Sequence, residues 1–148
     1  MDRHPHPLVG YDEDFVLWAE RQVEVLKARD FAALDVEHVI EELEGQVSRD
    51  KRELGQRLQV TMVHLLKCQK QPQRKSRIWH VTLIEQRGQI AGLLESSPSL
   101  RRLVGEFARK RYGRARRLAA AETRIDESEF PPTLPFTEEQ LLDDQFEP

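Results

Sequence analysis

The chain has a single cysteine, Cys68. No intrachain disulfide can form, and a reducing cytosol is the expected setting, so the location is read as cytoplasmic. Aromatic residues make up only 7% of the sequence and there are seven glycines. With no long β-branched runs, this argues against a sheet and for helices. The longest charge-free apolar stretch, around Leu58–Leu66, is far shorter than the ~20 residues a membrane-crossing helix needs. The N-terminus has no apolar core of signal-peptide type, and no membrane association is expected. Also missing are Gly-x-Ser-x-Gly, the Walker phosphate loop and the dinucleotide glycine pattern. No nucleophile, base and metal set can be assembled, so no enzyme and no cofactor are expected.

What the chain does have is charge, in blocks. Residues 1–50 hold 13 acids and 5 bases, residues 51–125 hold 18 bases and 5 acids, and residues 126–148 hold 8 acids and no base. The formal net charge of −3 therefore hides a basic middle between acidic ends. Such asymmetry bears on partners and self-contact rather than on fold.

At 148 residues the chain is most simply one domain, long enough to bury roughly 68–70% of its unfolded surface. Residues 1–10 are proline-broken and read as a loose N-terminus. Asp12 is a plausible cap for a first helix over about 13–29, with Tyr11, Phe15, Trp18, Gln22 and Val25 along one face. Asp35 precedes a second helix with a regular stripe: Val36, Ile40, Leu43, Val47, Leu54, Leu58, Thr61, Leu65 and Cys68. Unbroken, it would span ~50 Å. Asp50 and Glu53 could instead cap a fresh helix, which leaves a kink near Ser48–Lys51 open. Around Leu58–Leu66 the pattern is apolar almost all round, which places that stretch at the centre of the molecule. A third helix is expected over about 76–95. A fourth should start at Ser97–Pro98 and run to about Arg124, with Leu100, Val104, Phe107, Ala115 and Leu118 inward. The expected core comprises Leu58, Leu65, Trp79, Ile90, Phe107 and Leu118. The acidic tail, 126–148, carries Phe130, Phe136, Leu141 and Phe146 and a short capped helix at Thr137-Glu138-Glu139-Gln140. Those apolar residues predict a tail packed on the bundle. The fold class is thus all-α: a single-domain bundle of about four main helices with a long central second helix and a short tail helix.

Metal-ligating patterns fall short. Asp35 and His38 stand three apart on a helix, half of a carboxylate-bundle diiron motif whose other half is missing. Glu42 stands where the second histidine of an inverted zinc-protease motif must be. His38 lies opposite the stripe and reads as solvated. His4 and His6 could bind a metal only adventitiously, and Cys68 reads as a core thiol. No metal site is expected.

Two leads remain. On a helical wheel Arg102, Arg109, Lys110, Arg116, Arg117 and Arg124 cluster within about 120°, a surface that could track phosphates. A solvated face balanced by the chain's own acidic ends is the first reading. An acidic protein partner or self-association comes second, and nucleic acid third, since no aromatics are interleaved to stack bases. The second lead is polar residues on apolar stripes, namely Gln86, Arg111 and Glu122. These are expected to be buried and paired, since an unpaired buried charge costs several kcal/mol. Gly88 and Gly92 read as points of close helix contact.

The ordered string Tyr11-Asp12-Glu13-Asp14-Phe15…Trp18, Val39-Ile40-Glu41-Glu42-Leu43-Glu44, His64-Leu65-Leu66-Lys67, Gln71-Pro72, Trp79…Gln86-Arg87, Pro98-Ser99-Leu100, Ala115-Arg116…Ala119-Ala120-Ala121-Glu122-Thr123 and Phe130-Pro131…Leu141-Leu142 resembles the bacterial domain-of-unknown-function twenty-nine family over nearly the whole chain. The resemblance implies a small bacterial all-helical protein with no assigned activity. Cys68 stands where an aromatic is usual in that family, and Leu134-Pro135-Phe136 replaces a Cys-Pro-aromatic segment, which removes any thiol role from the tail. The function expected is a non-enzymatic protein-interaction module, with a nucleic-acid-binding accessory protein using the helix 100–124 as the alternative.

Overall fold

The computed structural model describes residues 10–148, and His4 and His6 lie outside them. Among the described residues there are five α-helices, joined in part by short 3₁₀ turns, and no strand. They are α1 (Phe15–Lys27), α2 (Val36–Lys70), α3 (Arg77–Ser96), α4 (Val104–Thr123) and α5 (Glu138–Leu142). The all-α class, the long second helix and the short tail helix are as the sequence implies. The contacts divide into two compact units, Met1–Ser48 and Arg49–Pro148. The buried apolar cluster begins only at Leu54 and draws all its members from the second unit, whereas α1 buries just Trp18, Gln22 and Val25.

Local chemistry sets the boundaries. Asp14, rather than Asp12, caps α1 by accepting from the Leu17 amide. α1 ends in a left-handed turn at Arg29 (φ 56°). There the Asp30 amide reaches the Val25 carbonyl and the Arg29 amide reaches that of Leu26, a Schellman closure with arginine where glycine is usual. Asp35 accepts from the His38 amide at the start of α2. α2 is one helix through Asp50, so no second cap forms there. Ser76 caps α3 through the Trp79 amide. Ser97 makes no side-chain cap: Pro98–Leu103 is a 3₁₀ turn and α4 starts at Val104, later than the proline signal suggests. Thr137 and Gln140 close a full capping box on α5.

In the second unit Leu54, Leu58, Met62, Leu65, Leu66 and Cys68 of α2 are fully buried with Leu83 and Ile90 of α3 and Val104, Ala108, Ala115 and Ala119 of α4. The inward face of α4 thus runs Val104, Ala108, Tyr112, Ala115, Ala119 and Thr123. Leu118, expected in the core, is 38% exposed, and Phe107 and Trp79 are half-buried. The alanines let α4 approach closely, and the larger residues one position away are left at the rim. The segment after α4 lies on this unit. Phe130, Phe136 and Leu141 are buried, and Leu134, Leu142 and Phe146 pack against the same cluster. Gly88 and Gly92 meet nothing within 4 Å where a Cβ would stand, so they mark no close contact among the described residues.

Candidate interaction surfaces

In the first unit, Asp35 organises a knot of aromatic and acidic groups. Its carboxylate accepts from the Trp18 indole N–H at 2.9 Å and pairs with the His38 ring at 2.7 Å. Its backbone N–H donates to Gln22 at 2.8 Å. Tyr11 stacks on His38, with ring centroids 4.4 Å apart and planes 13° off parallel, and meets Trp18 edge-on at 4.8 Å. The Tyr11 hydroxyl donates to Glu42. His38, expected to be solvated, is half-buried by these partners. Its pKa is raised, first by the hydrogen bond to Asp35, while that of Asp35 is lowered by its bonds to His38 and Trp18. The bond to Glu42 pushes the Tyr11 phenol up to about 12. The knot pins the residues before α1 to the first turns of α2.

With one side of α2 used in this way, its apolar stripe is left bare. Val36 is 50% exposed, Ile40 48%, Leu43 66% and Val47 53%, at the spacing i, i+4, i+7, i+11 that makes a helix face. Further along the helix the same sequence spacing gives Leu54, Leu58, Thr61, Leu65 and Cys68, all fully buried. Exposed Phe15, Val16, Leu17, Val23, Leu26 and Phe31 add to the apolar surface of the first unit. Scattered exposed apolar residues need no explanation, but a contiguous set does. The stripe is bordered by exposed Glu37, Glu41 and Glu44, and the unit carries 12 acids against 4 bases.

The basic residues of the expected surface, on α4 and on the 3₁₀ turn before it, differ in their surroundings. Arg116 turns inward, donating to the Phe130 carbonyl at 3.1 Å and standing 3.8 Å from Glu127. Lys110 pairs with Glu106 at 2.9 Å. Arg102, Arg109 and Arg117 are exposed and form no hydrogen bond or ion pair among the described residues. Gln86, Arg111 and Glu122 are each paired with a residue of a neighbouring helix, as expected, but they do not form one buried network. Gln86, half-buried, accepts from Arg57 at 3.2 Å. Arg111, half-buried, donates to Gln59 at 3.3 Å. Glu122 is exposed and pairs with Lys67 at 3.0 Å. Three helical turns separate residues 111 and 122, too far for direct contact, and each finds a nearer partner on α2.

The buried charge lies one position from Gln86. Arg87 is 2% exposed and donates to the carbonyls of Leu141 at 3.0 Å, Phe146 at 2.8 Å and Gln140 at 2.8 Å. Burial lowers its pKa, against the support of Asp144, Asp143 and Glu147. The signal was present in the spacing, since Leu83, Arg87 and Ile90 share a face. The acceptors are backbone groups and have no sequence signature.

Among the described residues no group of three or more His, Cys, Asp or Glu could hold a metal ion, and no helix is long and apolar enough to cross a membrane.

These features define an all-α protein with an acid-bordered apolar face on its first unit and a set of exposed bases on its second. The family model described as Domain of unknown function DUF29 matches residues 10–147, and the chain belongs to that family. No curated protein and no solved structure matches the chain.

Proposed function

We propose that the protein is a non-enzymatic protein-interaction module whose contact surface is the bare face of α2 at Val36, Ile40, Leu43 and Val47. The observation that carries this reading is the contrast along one helix: the apolar spacing is covered from Leu54 onward and left in water before it. Covering a Val, Ile or Leu side chain is worth ~1.5–3 kcal/mol for complete burial, so four half-exposed side chains give a partner a substantial apolar contact. The occupant is an amphipathic helix of another protein with lysine and arginine beside its apolar face. Symmetric pairing of two copies through this face would set Glu37, Glu41 and Glu44 against their equivalents, a like-charge clash that disfavours the wrong partner.

The test titrates the full chain with two synthetic amphipathic helices, identical in their leucine face and flanked by lysine or by glutamate. The lysine-flanked peptide should bind and the glutamate-flanked one should not. Leu43→Glu should abolish binding while leaving the helical circular dichroism unchanged. Equal binding of both peptides, or of neither, contradicts the reading.

A further inference from the structure

The second unit holds a groove of about 290 Å³ lined by Lys51, Arg52 and Gly55 of α2 and by Phe107, Lys110 and Arg111 of α4. Four of its six lining residues are cationic and none is a carboxylate. We propose that this groove binds a small oligophosphate, an anion carrying two or more linked phosphoryl groups.

Internal charge pairing leaves most of these cations available. Lys110 has the Glu106 carboxylate at 2.9 Å, in an exposed pair, which offsets little of its charge. Arg111 donates to the neutral amide of Gln59. Lys51 and Arg52 form no hydrogen bond or ion pair among the described residues. Like charges brought together repel, and a bound polyanion turns that repulsion into attraction.

The position of Arg111 is built into the fold. Its side chain lies across α2 where Gly55 has no Cβ: an ideal Cβ there would stand 2.5 Å from Nε, 3.0 Å from Cζ and 3.2 Å from Cδ. Gly55 is buried, so the missing side chain is filled by the guanidinium stem, and the planar fork is held at the groove. A guanidinium held in this way can bond two phosphate oxygens at once. Half-buried Phe107 adds an apolar wall, which excludes water and strengthens charge interactions beside it. The volume lies at the small end of ligand sites, which run ~300–1,000 Å³. It suits a compact polyanion rather than a large cofactor. The site is independent of the α2 face proposed above.

The test is calorimetric titration of the full chain with inorganic pyrophosphate at near-physiological salt, with sulfate and a short single-stranded oligonucleotide as comparison ligands. Pyrophosphate should bind one to one, at least tenfold tighter than sulfate. Arg52→Ala, at an exposed position, should weaken it at least tenfold, and Gly55→Ala, which displaces Arg111, by a similar factor. Arg117→Ala, an exposed base on α4 outside the groove, should leave affinity unchanged. If Gly55→Ala fails to fold, Arg52→Ala and Arg117→Ala still decide. Sulfate binding as tightly as pyrophosphate, equal loss in Arg117→Ala, or no binding at millimolar pyrophosphate overturns the proposal. Oligonucleotide binding that outcompetes pyrophosphate also overturns it, in favour of a nucleic-acid surface.

Discussion

The Arg87 guanidinium donates its Nε hydrogen to the carbonyl of Leu141, 54 positions later in the chain, at 3.0 Å. Its two terminal nitrogens reach Phe146 and Gln140 at 2.8 Å each. One buried cation on α3 thus satisfies three backbone acceptors at and just beyond α5. The side-chain pairs around it are weaker and more exposed: Lys75 and His80 with Glu147, and Arg101 with Glu138.

Arg87→Ala is predicted to cost ~3–5 kcal/mol, since it strands buried acceptors and empties a packed position. Arg87→Lys should rescue little, because one ammonium cannot reproduce the fork. The check is a urea midpoint with limited proteolysis of the segment after Ile125. A tail as protected in Arg87→Ala as in the native chain would show that apolar burial of Phe130, Phe136 and Leu141 suffices alone.

Two leucines of α2 that look alike in sequence should respond in opposite ways. Leu65→Ala should cost ~2–5 kcal/mol, as for a fully buried leucine. Leu43→Ala, at an exposed site, should stay within about 0.5 kcal/mol of the native chain. Denaturant midpoints of the two variants make the comparison, and a large loss at Leu43 would mean that its face is covered.

This pair also marks how much the sequence could disclose. Periodicity reveals which faces of α2 favour burial, and it placed Leu54, Leu58 and Leu65 inside. It carries no information on what covers a face, so Val36, Ile40, Leu43 and Val47 read as core. On α4 Leu118 reads as core beside Ala115, whereas the interior holds the small residues Ala108, Ala115 and Ala119 and leaves Leu118 at the rim. On α3 the sequence reading rests on Gln86, whereas the buried polar residue is its neighbour Arg87, a charge whose burial is costly unless it is paired. The three carbonyls that neutralise that cost belong to a distant backbone. The groove at Gly55 was equally hidden, since it needs α2 and α4 side by side.

His38 should titrate above its ordinary value and Asp35 below its own, each held by the other. The sign follows from linkage. The His38 contribution is complete below its unfolded pKa of ~6.5 and is lost as pH rises through its raised folded value. That of Asp35 is complete above its unfolded pKa and is lost as pH falls through its lowered folded value. The pair therefore supports the first unit most fully between about pH 4 and 6.5. An NMR titration of the His38 ring checks this, and Asp35→Asn should bring its midpoint down. A midpoint indifferent to Asp35→Asn contradicts the pairing.

Cys68 is fully buried, and burial raises its thiol pKa. Reaction with a thiol reagent should therefore be very slow in the native protein and immediate in denaturant, because the thiolate is the reactive form. Rapid native labelling would show that the second unit opens at α2.

The central claim is that the bare face of α2 receives a basic-flanked amphipathic helix. Hydrogen–deuterium exchange of the full chain, with and without the lysine-flanked peptide, tests it most directly. Added protection centred on residues 36–47, with residues 104–123 unchanged, is the predicted result. Protection confined to residues 104–123, or none at saturating peptide, would contradict it.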